Sequence, residues 1–373
     1  MKFTENQRRM YLLALGLLIL TIILACAWVL WLRPSDPAPE AVSPSPTVHT
    51  TAEPSATPRA ADEAASAGAV IESRDVQKAS TIVYYQDNDG YLVPVMCTLP
   101  MEDGIAKATL GMMVKNVGND MQAARLGLRT VLPENTSIEL DIAGGLARID
   151  LSREVLGLPD AAAEQNMVSA IVGALTEFDT VQEVEFLIGG QRMEKLPHGT
   201  SVSGRFRRGD INLEIADETM SVSDGKRVTL YFPSEAGAVV VPVTRLVYSK
   251  PDINTAVVEL AKGPSNLGAL EEVLPAGCGL IDVTVENGTA KLNFTKEFAD
   301  IALNSDGGRM ALKALVLTCT QFEGVTAVEI YVEGERYDPG EGTLSVPTFA
   351  NVADSVVYDY IQTQSAMLIG DME

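Results

Sequence analysis

A phrase that is written twice constrains the fold of this chain more than any other feature of its sequence. Residues 142–155 read IAGGLARIDLSREV and residues 285–298 read VENGTAKLNFTKEF, 143 positions apart. Further blocks repeat in the same order, since FDTVQEVEFLIGGQRM (178–193) and FEGVTAVEIYVEGERY (322–337) agree at six of sixteen positions. Matched blocks in one order indicate a duplicated unit. The sequence therefore predicts two copies of one domain in a chain of 373 residues.

Turn and helix signals predict the same order of elements in each copy. Asn287 and Gly288 lie between two alternating apolar runs, the pattern of a tight hairpin whose turn residues need positive φ. Apolar residues recur at helical spacing in 164–178 and 308–322, and a strand-like run follows each segment. A shorter helix precedes each hairpin. The predicted unit is strand, strand, helix, hairpin, helix, strand, an α+β fold in which a small sheet carries two helices on one face.

The segment 10–32 is a run of 23 residues without a charge. As a helix it would be roughly 34 Å long, enough to cross a hydrocarbon layer of roughly 30 Å. Lys2, Arg8 and Arg9 precede it, so the positive-inside rule leaves residues 1–9 in the cytoplasm and exports everything after the span. We expect a single-pass membrane protein.

A lipoprotein is the alternative, because ILAC ends at Cys26 as a lipobox would, after an apolar signal-peptide core. The apolar run continues past this cysteine as AWVLWL, which favours an uncleaved anchor.

The remaining chain divides by composition. Residues 33–80 are rich in Pro, Ala and Ser and predict a flexible linker. The two repeated domains are expected at 81–204 and 226–346, followed by a C-terminal tail at 347–373 whose role the sequence does not assign.

Charge and cysteine usage exclude several functions. The formal net charge of −22 repels phosphate backbones, so nucleic acid is not expected as a partner. The cysteines beyond the apolar run, Cys97, Cys278 and Cys319, are far apart and lie among apolar residues, which predicts buried thiols and neither disulfides nor a metal site.

No catalytic constellation stands out, and we predict a protein that is not an enzyme, with no catalytic, cofactor-binding or metal residues and no cofactor. His49 lies in the linker, and His198 has no histidine counterpart in the second copy, so a solvated loop histidine is the expected reading. Asp87 and Asp89 match positions of a calcium loop, but the surrounding residues do not, and a hairpin turn is favoured.

Acidic and hydroxyl residues after the hairpin are also interpreted as structural. Asp150 of the first copy is replaced by Asn293 in the second, which a shared catalytic acid could not tolerate. Ser152 and Thr295 are expected to satisfy backbone amides where the next segment begins.

The ordered phrases ELAKGP, VLPAGCGL, NGTAKLNFTKEF and TCTQFEGVTAVEIYVEG of the second copy resemble the GerMN domain of sporulation and spore germination proteins. The first copy departs, with MMVKN and VLPEN in place of the first two phrases. The resemblance covers about residues 80–346 and indicates a tandem-domain protein of this family. It implies a fold like the ring-building motifs of secretion systems.

The resemblance also implies a structural or assembly component of the endospore envelope, located between mother cell and forespore. Its partners would be other sporulation envelope proteins, in a trans-envelope complex or a homo- or hetero-oligomeric ring. Two alternatives stay open, a module that binds cell-wall glycan and an envelope hydrolase. The second copy keeps Gly263-Pro264, which we call the Gly-Pro phrase, and Pro275–Gly279. We place the working contact near these two loops, on the premise that they pack against nothing internal.

Overall fold

In the computed structural model, each copy of the repeat folds from the elements that its turns and apolar periodicity predict. The structure describes residues 78–100, 104–215, 222, 225–236, 238–303, 305–338, 344–345 and 350–353. The predicted cytoplasmic segment, membrane span, Cys26, almost all of the linker with His49, and most of the tail lie outside these residues. Within the described part, no helix is long and apolar enough to span a bilayer.

The first copy contains five strands and three α-helices. In chain order they are β1 (Lys78–Gln86), β2 (Leu92–Pro100), α1 (Ile105–Gly111), α2 (Val117–Ala124), β3 (Ile138–Ala143), β4 (Gly145–Leu151), α3 (Ala161–Leu175) and β5 (Val181–Ile188). A short 3-10 helix, Arg153–Gly157, follows β4. Helix α2 has no helical counterpart in the second copy, and the sequence analysis did not predict it.

Residues 205–225 join the two copies and are called the connecting segment. The second copy repeats the order of the first after a short strand in this segment. The elements are β6 (Leu213–Glu214), β7 (Lys226–Pro233), β8 (Val240–Val247), α4 (Ile253–Ala261), β9 (Leu280–Glu286), β10 (Thr289–Phe294), α5 (Asp306–Thr320), β11 (Ala327–Val332), β12 (Glu335–Tyr337) and β13 (Leu344–Ser345). The 3-10 helix Lys296–Asp300 again follows the hairpin.

The strands of each copy form two separate ladders, and the prediction of one small sheet per copy is wrong in this respect. Strands β1 and β2 pair antiparallel, and β7 and β8 do the same. The other ladder places β3 antiparallel and β5 parallel to the central β4, with β9, β10 and β11 arranged in the same way. A parallel pair needs a crossover. Helices α3 and α5 supply it, whereas β1 and β2 are joined by a tight turn and close on each other.

Side chains at the predicted helix starts explain where the long helices begin. The Asp160 carboxylate accepts the Ala163 N–H at 2.8 Å, and the Ser305 hydroxyl accepts the Gly308 N–H at 3.0 Å. Each satisfies one of the backbone donors that the first turn of a helix leaves free. The helices then bury their apolar stripes against the strands.

Alternation along the central strands places the core on one face of each ladder. The fully buried side chains are Ala147, Ile149 and Leu151 in β4 and Ala290, Leu292 and Phe294 in β10. The three cysteines beyond the apolar run are buried free thiols, as predicted. Burial raises the pKa of the Cys97 thiol to about 12, so it packs as a small apolar side chain.

The turns of the β3–β4 and β9–β10 hairpins have the conformation that their sequences predict. Asn287 and Gly288 have φ values of 50° and 80°, and Gly144 and Gly145 have 58° and 82°. Positive φ at both turn residues matches the right-handed twist of the flanking strands.

Replacing Gly288 with valine should destabilise the second copy. A Cβ atom at this position would lie 3.3 Å from the Gly324 carbonyl oxygen, and positive φ adds steric cost for a branched residue. We expect a loss of about 1–2 kcal/mol in the free energy of unfolding, measured by chemical denaturation of the purified protein. Thr284→Val, an exposed change in the paired strand β9, is the control. Equal unfolding midpoints for both variants would contradict the turn conformation.

Candidate functional site

The two copies meet along β2 and β8, which lie side by side without a backbone ladder between them. Pro94 in β2 and Pro242 in β8 have no backbone N–H to donate. Their carbonyl oxygens still need partners where the strands are buried. The contact between the copies must therefore be made by other groups.

The side-chain amide of Asn212 bridges one end of this contact. Its Oδ1 accepts the Leu92 N–H at 2.8 Å, and its Nδ2 donates to the carbonyl oxygens of Leu92 at 2.8 Å and Pro242 at 2.7 Å. An amide offers two donors and one carbonyl oxygen as acceptor, so every hydrogen-bonding group of Asn212 is used.

Asn351 makes the equivalent bridge at the other end and is buried. It accepts the Val240 N–H at 2.9 Å and donates to the carbonyl oxygens of Val240 at 2.8 Å and Pro94 at 3.1 Å. Val240 in β8 is the counterpart of Leu92 in β2, so the two bridges are related by a quasi-twofold symmetry.

The segment that follows each copy pairs with the opposite copy. After the first copy, Ile211 accepts the Thr244 N–H at 3.0 Å, and β6 runs parallel to β8. After the second copy, Asn351 accepts the Met96 N–H of β2 at 2.8 Å, and the Ala353 N–H donates to Met96 at 2.9 Å. The copies thus exchange their C-terminal segments, and part of the unassigned tail is a structural element.

Arginines tie the connecting segment to the first copy. Arg207 pairs with Glu183 at 2.8 Å, and this guanidinium is the main reason that the pKa of Glu183 lies below its usual range. Arg208 pairs with Glu177 and donates to the Tyr84 hydroxyl at 2.9 Å. Burial is the main reason that the pKa of Tyr84 lies well above its usual range, so this hydroxyl stays protonated.

The same segment is also tied to the second copy. The Asp210 carboxylate accepts the Arg227 Nε–H of β7 at 2.7 Å. Four residues before Asp210, Phe206 exchanges two backbone hydrogen bonds of 2.8 Å with Val184 of β5, in the first copy. The segment therefore fixes both copies, in addition to connecting them.

A cleft of ≈ 550 Å³ lies between α3, the β1–β2 hairpin of the first copy, the β7–β8 hairpin of the second copy and this connecting segment. Equivalent residues of both copies line it, because Tyr84 faces Pro94 across β1 and β2 as Tyr231 faces Pro242 across β7 and β8. Helix α3 approaches closely at Gly173, where a Cβ atom would lie 2.8 Å from the Tyr84 ring. Any larger residue at 173 would collide with the Tyr84 ring and change the wall of the cleft.

A buried carboxylate shapes the loop at the rim of the cleft. Glu164 accepts the backbone N–H of His198 at 2.8 Å and of Thr200 at 3.2 Å. Burial disfavours the charged form, but these donors outweigh it and hold the pKa of Glu164 below its usual range. His198 itself is exposed, as predicted, with Nε2 2.9 Å from the Leu158 carbonyl oxygen.

A buried ion pair lies beneath the Gly-Pro phrase of the second copy. Arg245 and Glu214, whose side chains are 3% and 7% exposed, are 2.7 Å apart. Arg245 also donates to the Gly263 carbonyl oxygen at 2.8 Å, and Pro264 is buried. The premise that this loop packs against nothing internal is therefore wrong, because the loop accepts a hydrogen bond from a core arginine.

The first copy has no such ion pair. Cys97 occupies the position of Arg245, because it follows Met96 as Arg245 follows Thr244. Ala353 occupies the position of Glu214, because Val352 pairs with Met96 as Leu213 pairs with Thr244. Both small residues are buried. The difference explains why the first copy dispenses with the Gly-Pro phrase: it has no buried guanidinium that needs a carbonyl partner there.

The Asp87 carboxylate closes the turn between β1 and β2. It accepts the N–H groups of Asp89 at 3.0 Å and Tyr91 at 2.8 Å, which confirms the turn interpretation. Throughout the described ranges, no three His, Cys, Asp or Glu side chains are grouped as metal ligands.

Asp150 and Asn293 have the same structural role. Asp150 accepts the Gly190 N–H and Asn293 the Gly334 N–H, both at 2.9 Å. The interpretation that this position is not catalytic agrees with this shared use, because an amide oxygen can accept the same backbone N–H as a carboxylate oxygen.

Ser152 and Thr295 satisfy backbone amides, but not those of the segment that follows. Ser152 accepts the Ser137 N–H at 2.9 Å and Thr295 accepts the Gly279 N–H at 3.1 Å, both from the chain that precedes the hairpin. Neither hydroxyl caps the 3-10 helix that follows it. Each hydroxyl instead joins the two ends of the hairpin.

Sequence reasoning missed Asn212, Asn351, Arg245 and Glu214. A signal for the asparagines was present, because INL at 211–213 and ANV at 350–352 each follow a repeat. An asparagine after the last strand of each copy is too short a pattern to distinguish from a loop residue. The ion pair left no signal, since its two residues are replaced in the first copy.

Comparison with known proteins agrees with this architecture. A family model described as Germane, sporulation and spore germination, matches residues 82–194 and 229–338. The spore germination protein GerM of Bacillus subtilis (strain 168) is 30% identical over 273 residues, covering 69% of this chain and 74% of that protein. The solved tandem GerMN domains of the sporulation protein GerM from Bacillus subtilis superimpose with a TM-score of 0.59 at 27% identity, covering 74% of this chain and 100% of the solved chain. The predicted resemblance is confirmed.

Replacing Asn351 with alanine should destabilise the protein more than an ordinary amide substitution. The change leaves the Val240 N–H and two carbonyl oxygens without partners in a buried contact, at a cost of about 2 kcal/mol or more. Asn166→Ala removes a single hydrogen bond to Gly90 and is the matched control, expected to cost about 1 kcal/mol. Chemical denaturation and hydrogen exchange at the Val240 amide measure the effect. Unchanged protection of that amide in Asn351→Ala would show that the bridge is not needed.

Removing one member of the buried ion pair should cost more than removing both. Arg245→Cys leaves the Glu214 charge buried without its partner, which typically costs about 3–5 kcal/mol. The double variant Arg245→Cys with Glu214→Ala reproduces the residues of the first copy and should recover part of this loss. Denaturation midpoints of the single and double variants test the expectation. A double variant less stable than Arg245→Cys would contradict it.

Proposed function

The chain belongs to the Germane family of sporulation and spore germination domains, and on that premise we propose that it is a non-enzymatic assembly component of the endospore envelope. Its relationship to a spore germination protein implies a role in sporulation or germination. The protein holds envelope proteins together within a trans-envelope complex and catalyses no reaction.

Use of the polar residues in the first copy supports a non-enzymatic role. The side chains that a catalytic reading would select, Asp87, Asp150, Glu164 and His198, make hydrogen bonds that fix turns and loops. A general acid or base must be within reach of a substrate proton. Here at least one oxygen of each carboxylate accepts a backbone N–H of the protein itself.

The proposed location follows from residues 10–32, which would anchor the protein in a membrane with residues 1–9 in the cytoplasm and both domains outside it. A lipid anchor at Cys26 would leave the two domains on the same side. Strand β1 begins at Lys78, so the predicted Pro-rich linker is shortened to residues 33–77. In either arrangement such a linker would extend the reach of the domains from the membrane.

The observation that carries the assembly proposal is an outer strand in each copy. Strands β3 and β9 each pair on one side only, and no other described segment pairs with their outer edges. Exposed apolar residues lie at equivalent positions of these strands, Ile142 at 37% and Val285 at 49%. An open strand edge with apolar residues beside it is a site where a further strand can add.

The edge of β9 differs from that of β3 in a way that favours it as the main contact. The register between β9 and β10 shifts at Asn293/Phe294, so that Ile281 is an extra residue in β9 and its side chain is 49% exposed. Bulges at sheet edges redirect side chains. This strand directly follows Pro275–Gly279, where Cys278 is buried and Gly279 exchanges two hydrogen bonds with Thr295. The premise that this loop packs against nothing internal is therefore wrong here too, and the proposed contact is the strand edge beside it.

Charge points to a different protein as the partner on this edge. Asp282 and Glu286 lie on β9, and two such strands paired with each other would bring like charges together. An extended segment with basic side chains between apolar ones would complement this edge.

Substituting the apolar residue of each edge tests the proposal in the native sporulating host. Val285→Lys should weaken binding of the partner by about 1.4 kcal/mol, which is a tenfold loss of affinity. Where the partner is present at limiting concentration, the yield of heat-resistant spores should fall about tenfold as well. Ile142→Lys at the equivalent position of β3 is the matched control and should have a smaller effect. Denaturation midpoints establish that both variants fold. Normal spore yield with folded Val285→Lys would overturn assembly through this edge.

A further inference from the structure

We propose that the cleft between the two copies binds a hydroxyl-rich saccharide, a short stretch of cell-wall glycan. The ligand class is inferred from the cleft alone. The choice of the cell wall as its source rests on the proposed envelope role.

The cleft has the size and position of a ligand site. Its volume of ≈ 550 Å³ lies within the range of about 300–1,000 Å³ that is usual for pockets that enclose small ligands. It is formed by both copies and the segment between them, and such junctions are common places for binding sites.

Its charges are balanced, which selects against a fully anionic ligand. Each arginine at the cleft is paired with a carboxylate: Arg207 with Glu183, Arg208 with Glu177, and Arg227 with Asp210. A phosphate group would have to displace one of these carboxylates. A hydroxyl group both donates and accepts, so it can bond to a guanidinium N–H and to a carboxylate oxygen without breaking the pair.

Further polar groups line the helical wall of the cleft. Gln165 and Ser169 are exposed on α3, one turn apart, and Ser201 is exposed on the loop that Glu164 fixes. These side chains offer an amide and two hydroxyls to the interior of the cleft. Their spacing suits a ligand that carries several hydroxyl or acetamido groups along its length.

Apolar surfaces between these groups suit the C–H faces of sugar rings. Pro94, Phe206 and Tyr231 are each half-buried, so part of every ring faces the cleft. Aromatic rings with a polar end are common where a ligand has both apolar and hydrogen-bonding surfaces. Both tryptophans of the chain, Trp28 and Trp31, lie in the apolar run before the domains, and these three rings provide the apolar contact instead.

The walls of the cleft are fixed before a ligand arrives. Asn212 holds the β1–β2 and β7–β8 hairpins in register, and Gly173 lets α3 pack against Tyr84. A pre-organised site loses little conformational entropy on binding.

Titration of the purified full-length protein in detergent with a short chitin oligosaccharide, followed by calorimetry, tests the proposal. Ser169→Tyr places a bulky side chain in the cleft and should weaken binding about tenfold or more, since a filled pocket cannot accept the ligand. Ala162→Tyr adds the same side chain to an exposed position of α3 outside the cleft and should leave the affinity unchanged. No saturable binding, or equal weakening by both variants, would overturn the proposal.

Competing ligands distinguish the chemical class. Inorganic phosphate and a neutral proline-rich peptide should not compete with the oligosaccharide, and displacement by either would overturn the saccharide assignment. Retention of the protein on purified peptidoglycan, lost in Ser169→Tyr, would support the cell wall as the source. Oligosaccharide binding without such retention would overturn that source.

The assembly variant separates this proposal from the proposed function. Val285→Lys should bind the oligosaccharide normally even where spore yield falls, because β9 does not line the cleft. Loss of oligosaccharide binding in folded Val285→Lys would overturn the location of the site.

Discussion

Two asparagine side chains stand in for the backbone hydrogen bonds that Pro94 and Pro242 cannot donate, and the arrangement of the two copies depends on them. Each amide bonds to both copies at once. In a direct ladder between β2 and β8, the backbone groups would repeat along both strands, so hydrogen bonding alone would not distinguish one register from another. An amide that must meet an N–H and two carbonyl oxygens allows a single position. The cleft keeps its shape because this contact has one geometry.

The parts of the fold that local sequence determines were predictable, and the parts that distant residues determine were not. The hairpin at Asn287 and Gly288 and the helix capped by Asp160 depend on residues within a few positions of each other. Hence their patterns are visible in a single copy. The division of each copy into two ladders depends on which strands meet after the chain has folded, and alternation alone does not specify the neighbour of a strand.

The candidate site was not predictable for the same reason. Asn212 and Leu92 are 120 residues apart, and Asn351 and Pro94 are 257 apart. Asparagine is common in turns, so its presence after a strand signals nothing more. Comparison of the copies identified Asp150 as structural because Asn293 could replace it. The same comparison could not find Arg245, whose place in the first copy is taken by a cysteine.

The exchange of C-terminal segments gives the pair of copies the topology of a domain-swapped homodimer whose two subunits have been joined into one chain. Two separate subunits would associate only to the extent that their concentration exceeded their dissociation constant. Joined by a short connection, each copy meets the other at an effective concentration on the order of millimolar, whatever the number of molecules present. The two copies are thus paired in every molecule, however low the concentration of the protein.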